Sequence, residues 1–297
     1  MECKHSIVDA EVELIGDLPQ VRLMSPEDYT SADLDRLDWA GSLVFGGYGA
    51  RVGARFGDCA LGVELALRPM LGTRQAGPGK VDRMLSVFHR DGRYWIFGDG
   101  ELKCQPVLRA DLLDAFDTHL RATFAEFSRR KLFVHSGVVG WNGKAIMVPG
   151  QSRAGKSTLI AELVQAGATY FSDEYAVLDN KGRVHPFAKP LSLRDPITSR
   201  QRRMPVESFG GIAARHPLPV GLVLLTQYCA GAKWQPVVMP AGEGALAIMA
   251  NTIAARRWPA LALSVIGTVA QRAPFIRSDR GEAREVARLI LAGASLD

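Results

Sequence analysis

Ala145-Ile146-Met147-Val148-Pro149-Gly150-Gln151-Ser152-Arg153-Ala154-Gly155-Lys156-Ser157-Thr158 is an apolar run that breaks into glycine, lysine and hydroxyls. From Gly150 to Ser157 it satisfies G-x-x-x-x-G-K-[ST], the Walker A pattern of a loop that wraps phosphate. Gly150 and Gly155 admit the backbone angles that turn successive N–H groups inward as an anion nest. A helix starting near Gly155 adds the partial positive charge of its N-terminus. Lys156 is placed to reach the β- and γ-phosphates of a nucleotide, and the Ser157 hydroxyl to ligate Mg²⁺. The expected nucleotide-binding cradle is the whole run Gly150, Gln151, Ser152, Arg153, Ala154, Gly155, Lys156, Ser157 and Thr158, with Thr158 also a helix-start residue. A chance match of this pattern occurs in about one chain of this length in a hundred. The flanks argue against chance, because Ala145 to Val148 reads as a strand, while Leu159, Ile160, Leu163 and Val164 recur at helical spacing up to the C-capping Gly167.

Upstream, Leu132 to Val139 is a second apolar stretch, and Asn142-Gly143 between it and the loop strand predicts a tight hairpin. The segment carrying His135 should therefore run antiparallel beside the strand that delivers Gly150, with His135 near one end of the sheet. Taken alone, a histidine in an apolar strand is more often structural than functional. Downstream, Ala168 to Ser172 is a third strand that stops at Asp173-Glu174. Carboxylates at the C-terminal end of a strand beside a phosphate loop hold Mg²⁺ or take a proton from an attacking hydroxyl, the alternative being a solvated turn.

Elsewhere the signals are structural. Ala10 to Ile15 is a strand candidate, and Leu43-Val44-Phe45 and Ala50 to Phe56 are extended segments separated by a glycine-rich turn. Leu61 to Leu71 reads as a short helix closed by Gly72, with a loop from Gly72 to Lys80. Asp91-Gly92 joins two antiparallel strands, Met84 to Arg90 and Arg93 to Phe97. Leu113, Phe116, Leu120, Phe124 and Phe127 mark an amphipathic helix from Ala110 to Arg130. Tyr175 to Leu178 and Arg183 to Phe187 read as a hairpin. Lys189, Arg194, Arg200, Arg202 and Arg203 crowd the next segment, as a solvated basic loop or as a clamp for phosphate or an acidic substrate. Val220 to Leu225 is a strand, Glu243 to Ala255 a helix, Leu261 to Ile266 a buried stretch, Pro274-Phe275-Ile276 a short strand and Gly281 to Ala292 a closing helix.

The chain has 297 residues, 47% of them hydrophobic, which suffices for two domains with a core each. Thirty-six basic against 31 acidic residues give a net charge of +5, modest and spread out, which phosphate-bearing ligands alone could account for, and the basic residues are not interleaved with aromatics as nucleic-acid binding would require. Cys3, Cys59, Cys104 and Cys229 show neither C-x-x-C pairing nor ligand spacing with histidine, so reduced thiols in a cytoplasmic protein are expected. Neither a signal-peptide core nor a membrane span is read.

With Gly150 to Thr158, His135 and Asp173-Glu174 in place, residues 132 to 190 resemble the catalytic domain of the HPr kinase/phosphorylase family, a bacterial family whose fold is related to phosphoenolpyruvate carboxykinase. The family pattern is a histidine-glycine strand, a hairpin, a phosphate loop, a helix ending at glycine and a strand ending in two acids. The spacings here, 150 − 135 = 15 and 173 − 156 = 17, are similar to it. The resemblance implies an α/β fold, a P-loop kinase domain with a mixed sheet over residues 132–297; residues 1–131 ahead of it read as a smaller α+β domain that could recognise substrate. It further implies that Lys156 and Ser157 bind ATP phosphates and Mg²⁺, that Asp173 is the base activating a substrate hydroxyl, that Glu174 assists with metal, and that His135 lies at the active site. Thr158 stands where the family commonly has glutamate, and residues 1 to 131 do not resemble its usual N-terminal domain. The chain more closely resembles HPr-kinase-related proteins that act on other substrates, including those of peptide-modification pathways and lasso-peptide serine kinases. The expected activity is a serine kinase acting on a peptide or protein, with a small-metabolite kinase or a nucleotide-binding regulator as rivals; homo-oligomerisation stays open.

Overall fold

The computed structural model describes residues 25–68, 70–151, 154–194 and 201–294. The strand expected at residues 10–15, the expected cradle residues Ser152 and Arg153, and Arg200 of the basic segment lie outside the described residues.

The fold is mixed α/β, with a six-stranded and an eight-stranded sheet and a separate two-stranded hairpin among the described residues. A short helix α1 (Ser31–Asp35), held by a Thr30–Asp33 capping box, precedes the first sheet. That sheet comprises β1 (Gly41–Gly47), β2 (Ala50–Phe56), β3 (Thr73–Gln75), β4 (Arg83–Arg90), β5 (Arg93–Gly98) and β6 (Glu101–Cys104), in the order β3-β1-β2-β4-β5-β6. Its hairpins turn where the sequence allows positive φ: Tyr48-Gly49 at 54° and 81°, and Asp91-Gly92 at 53° and 72°. The loop expected from Gly72 to Lys80 contains β3, which pairs antiparallel with β1.

Helix α2 (Cys59–Ala66) is capped by Asp58, whose side chain accepts from the Leu61 N–H at 2.7 Å. It ends well short of Gly72, because proline at position 69 both lacks an N–H and disfavours helical angles at Arg68. Helix α3 (Arg109–Phe127) lays Leu112, Phe116, Leu120, Phe124 and Phe127 into the core. Leu112, rather than Leu113, begins that buried stripe.

The second sheet comprises β7 (Leu132–Trp141), β8 (Lys144–Pro149), β9 (Thr169–Ser172), β10 (Tyr175–Leu178), β11 (Arg183–His185), then β14 (Leu218–Leu225), β15 (Val237–Met239) and β16 (Phe275–Arg277). Between β11 and β14 in sequence, β12 (Leu191–Arg194) and β13 (Gln201–Met204) form the separate hairpin. The 142–143 turn has both φ values positive, 47° and 75°, so β7 and β8 pair antiparallel as their sequence requires. β7 is central, with β8 along one edge and β9 followed by β10 along the other. β11 also pairs with β14, and this closes the circuit β7-β8-β14-β11-β10 back onto β7.

Both faces of this sheet are covered, which is why β8 reads as a continuous apolar run instead of an alternating one. Val139, Ile146 and Val148 pack on one face against Leu159, Ile160 and Leu163 of α4 (Lys156–Gln165) and Ile290 of α7 (Ala283–Gly293). Val138, Ala145 and Met147 pack on the other, against Ile248 of α5 (Ala241–Ala250) and Val265, Ile266 and Val269 of α6 (Pro259–Ala270). The stretch Leu261–Ile266 is one flank of amphipathic α6, where Leu263 is 65% exposed, and not a wholly buried segment.

Candidate active site

The run Gly150 to Ser157 lies at the end of β8 and the start of α4. Gly155 is the N-cap of α4 at φ 76°, a left-handed conformation that suits glycine. A Cβ there would also stand 2.6 Å from Arg280 Nη2. Gly150 differs from expectation: its φ is not positive, and a Cβ would meet Lys156 Cδ at an ordinary 3.7 Å. The conformational demand of the motif therefore falls on its second glycine.

Lys156, only 7% exposed, donates from Nζ to the Gln151 carbonyl at 2.6 Å. Burial pushes its pKa down to about 8, with Asp173 pulling it back up. Arg280, absent from the sequence-derived site, is buried against the same turn and donates from Nη2 to the Gly155 carbonyl at 2.8 Å. Its Nε is buried with no hydrogen-bond partner, and burial lowers its pKa. Lysine, arginine and the N-terminus of α4 thus place positive charge at one turn, an arrangement that an anion stabilises.

Asp173 stands opposite. β9 and β10 together run antiparallel to β7, interrupted at Asp173-Glu174, where the Glu174 carbonyl still accepts from the Ser136 N–H of β7 at 3.1 Å. Asp173 Oδ2 accepts from the Ser157 hydroxyl at 3.0 Å and from the Ser192 N–H at 3.0 Å. Its Oδ1 accepts from Tyr170 at 3.1 Å and pairs with Lys189 Nζ at 3.0 Å. Burial works to raise the pKa of this carboxyl, but Lys189, the Ser192 N–H and Ser157 outweigh it and leave the group an anion held below its ordinary value. Burial and the neighbouring Asp173 raise the Tyr170 pKa, so this phenol is a fixed neutral donor.

Glu174 points to the N-terminal half. Its Oε2 lies 3.1 Å from Arg121 Nε on α3 and 3.6 Å from Lys189 Nζ. The Arg121 contact is an ion pair without hydrogen-bond alignment, since both atoms lack a hydrogen-bond partner.

His135 lies on β7 as its hairpin predicts, and its Nδ1 is 2.7 Å from the Gly150 carbonyl. A carbonyl only accepts, so Nδ1 carries the proton and donates, leaving Nε2 as the acceptor nitrogen. Burial, then Lys156, lowers its pKa and favours the neutral ring. The backbone repeats the tether, with the Gly150 N–H donating to the His135 carbonyl at 3.2 Å and the His135 N–H to Asn251 at 2.7 Å.

The structure thus gathers Gly150, Gln151, Ala154, Gly155, Lys156, Ser157, His135 and Asp173 around the start of α4, whereas the Glu174 side chain is turned toward α3 and Thr158 is on the exposed side of α4. Sequence reasoning passed over Tyr170, Ser192, Arg121 and Arg280, and named Lys189 only within a basic loop whose solvated reading it slightly favoured. Lys189 is instead half of the buried ion pair at the site. Its one signal was a lysine in an apolar setting, Phe187-Ala188-Lys189-Pro190. Arg203 pairs with Asp114 of α3, and Arg202 is exposed.

For Mg²⁺, the Ser157 hydroxyl and the carboxylates of Asp173 and Glu174 are hard oxygen donors of the kind that ion takes. Among the described residues no group of three or more histidines, cysteines and acids is placed to hold a metal unaided. Among the described residues no helix is long and apolar enough to cross a membrane. Cys59, Cys104 and Cys229 are free thiols.

No protein-family model and no curated protein matches the chain. Among solved structures it is similar to the Hpr(Ser) kinase/phosphatase from Coxiella burnetii, at 13% identity and a TM-score of 0.33, over 55% of this chain and 96% of that one. Identity and TM-score are both too low for that likeness to support a shared function.

Proposed function

We propose that the chain is an ATP- and Mg²⁺-dependent phosphotransferase that moves the γ-phosphoryl group to a hydroxyl. The observation that carries this reading is the Ser157–Asp173 hydrogen bond, 3.0 Å, which sets a buried carboxylate against the last residue of the phosphate-loop pattern. MgATP, when bound, supplies the transferable phosphoryl group and neutralises part of its charge. Gly155, Lys156 and the N-terminus of α4 bind its phosphates, and Ser157 with Glu174 offers oxygens to the metal. Arg280 braces the turn through the Gly155 carbonyl, and His135 fixes the other end of the loop through Gly150.

Asp173 orients the acceptor hydroxyl and receives its proton. A carboxylate held below its ordinary pKa is a weak base, which suffices where the acceptor proton leaves late, as in a loose phosphoryl-transfer transition state. Lys156→Ala and Asp173→Asn are each expected to lower transfer from labelled ATP by at least about a hundredfold, in line with the loss of a charge-stabilising or proton-accepting group. Wild-type transfer rates in both variants would refute the assignment. ATP binding without transfer to any acceptor would instead identify a nucleotide-binding regulator.

Serine in a peptide or protein is one acceptor consistent with this chemistry, and HPr-kinase-like serine kinase activity is the reading the sequence motifs favour. A small-molecule acceptor is the second reading. It is favoured by a half-open cavity of about 300 Å³ next to the acids.

A further inference from the structure

The Asp173–Lys189 pair is also a wall. On its other side, where the two halves of the molecule meet, α3 and the segment after α2 face residues 187–192 and β13 across a cavity of about 300 Å³. Lys189 and Ser192 line this cavity and both contact Asp173, and Arg121 lines it and contacts Glu174. The carboxylate is therefore shared: Ser157 touches it from the phosphate loop, and Lys189 and Ser192 touch it from the cavity.

The lining has a definite chemistry. Arg68, Arg121, Lys189 and Arg203 stand against a single acid, Asp117. Lys189 and Arg121 are engaged by Asp173 and Glu174, which leaves Arg68 and Arg203 for a ligand. Arg68 spends Nη1 on Asp117 at 2.9 Å, and Arg203 spends Nη1 on Asp114; the other N–H donors of each guanidinium lie outside those contacts. Asp117 is a reluctant anion, because burial raises its pKa against the pull of Arg68 and Arg121. Leu120 and Phe187, both buried, supply an apolar side. The volume is at the lower end of ligand pockets, suited to a small molecule and not to a folded protein surface.

We propose that this cavity is the acceptor pocket and that the acceptor is a small hydroxy acid, an organic carboxylate with an apolar body. Arg68 and Arg203 take its carboxylate, the apolar side takes its body, and its hydroxyl displaces Lys189, which lines the cavity, from Asp173 Oδ1. This rests on the phosphotransfer reading above. In the step, the acceptor oxygen forms a bond to the γ-phosphorus, the bond from that phosphorus to the ADP oxygen breaks with its electron pair leaving on ADP, and the hydroxyl proton passes to Asp173.

Titration calorimetry on the full chain tests the proposal, with 3-phenyllactate, its neutral amide and benzoate as probes and a non-hydrolysable ATP analogue titrated in parallel. Phenyllactate and benzoate should bind, and the amide should be weaker by at least about tenfold, as for loss of a charge-assisted contact. The Arg68→Ala/Arg203→Ala double variant should lose about tenfold for phenyllactate. Asp117→Asn should tighten phenyllactate binding by about threefold or more, a gain that misfolding does not mimic. Equal affinity for acid and amide, no binding of any probe to the wild-type protein, or unchanged or weaker affinity in Asp117→Asn would overturn the pocket. Binding of the ATP analogue without any probe overturns the pocket alone, with a peptide acceptor then the surviving reading. Probe binding without the analogue supports the anion pocket and overturns the phosphotransfer reading.

Discussion

At Lys156 the cost of burying a cation can be turned into a measurement. With its pKa lowered to about 8, the ammonium is about half deprotonated at pH 8 before any nucleotide arrives. A bound phosphate favours the charged form and raises that pKa, so binding between about pH 8 and 10 must take up a proton. Calorimetry of ATP binding at pH 8.5 in buffers of different ionisation enthalpy should show an uptake of roughly half a proton or more, absent in Lys156→Met. Zero uptake by the wild-type protein would mean that the lysine is not the phosphate contact. Lys156 and Ser157 were legible from the sequence because the loop pattern specifies them by spacing. Arg280 was not, since it stands on a distant segment and acts on the backbone of Gly155, an interaction that leaves no local pattern.

Among the elements, β7 and α4 are pressed together at Gly137, where a Cβ would stand 2.6 Å from Ile160 Cγ1 and 2.8 Å from its Cδ1. Gly137→Val should therefore push α4 off the sheet and lower stability by about 1–3 kcal/mol, the usual penalty of overpacking, measured by denaturant unfolding. Nucleotide affinity should fall with it, because α4 carries Lys156 and Ser157. An unchanged midpoint would show that the approach is looser than described. Hairpins and amphipathic helices were readable at this scale: Asn142-Gly143 and Asp91-Gly92 fixed two strand pairs, and the stripe from Phe116 to Phe127 fixed α3. The pairing of β11 with β14 was not readable, since the two strands are remote in sequence and share only a short register, Arg183 with Pro219 and Val184 with Leu218. Helix α2 is shorter than the apolar run Leu61–Leu71 suggests, because that run contains a proline at position 69.

For the molecule as a whole, the six-stranded sheet lies within residues 41–104 and the eight-stranded one within 132–277, yet the two share a core. Phe133, Tyr175, Val177 and Phe187 pack in one cluster with Phe45, Phe116, Phe124 and Phe127. Tyr48 lies edge-on to Phe133 with ring centres 5.1 Å apart, and Arg257 pairs with Glu126 at 2.6 Å. We expect residues 132–297 expressed alone to lack a cooperative melting transition and to bind a hydrophobic dye, because those aromatic faces would meet water. A sharp transition comparable to that of the full chain would show two independent folding units. The closed circuit from β7 through β8, β14, β11 and β10 has a bearing on durability. A linear sheet peels from its rim, whereas a loop of strands offers no place in that ring from which to start, so His135, Gly150 and Asp173 should keep their geometry until the ring itself gives way. Heat would then be expected to silence the protein and melt it in one event, with no warm interval in which an intact shell surrounds a ruined centre.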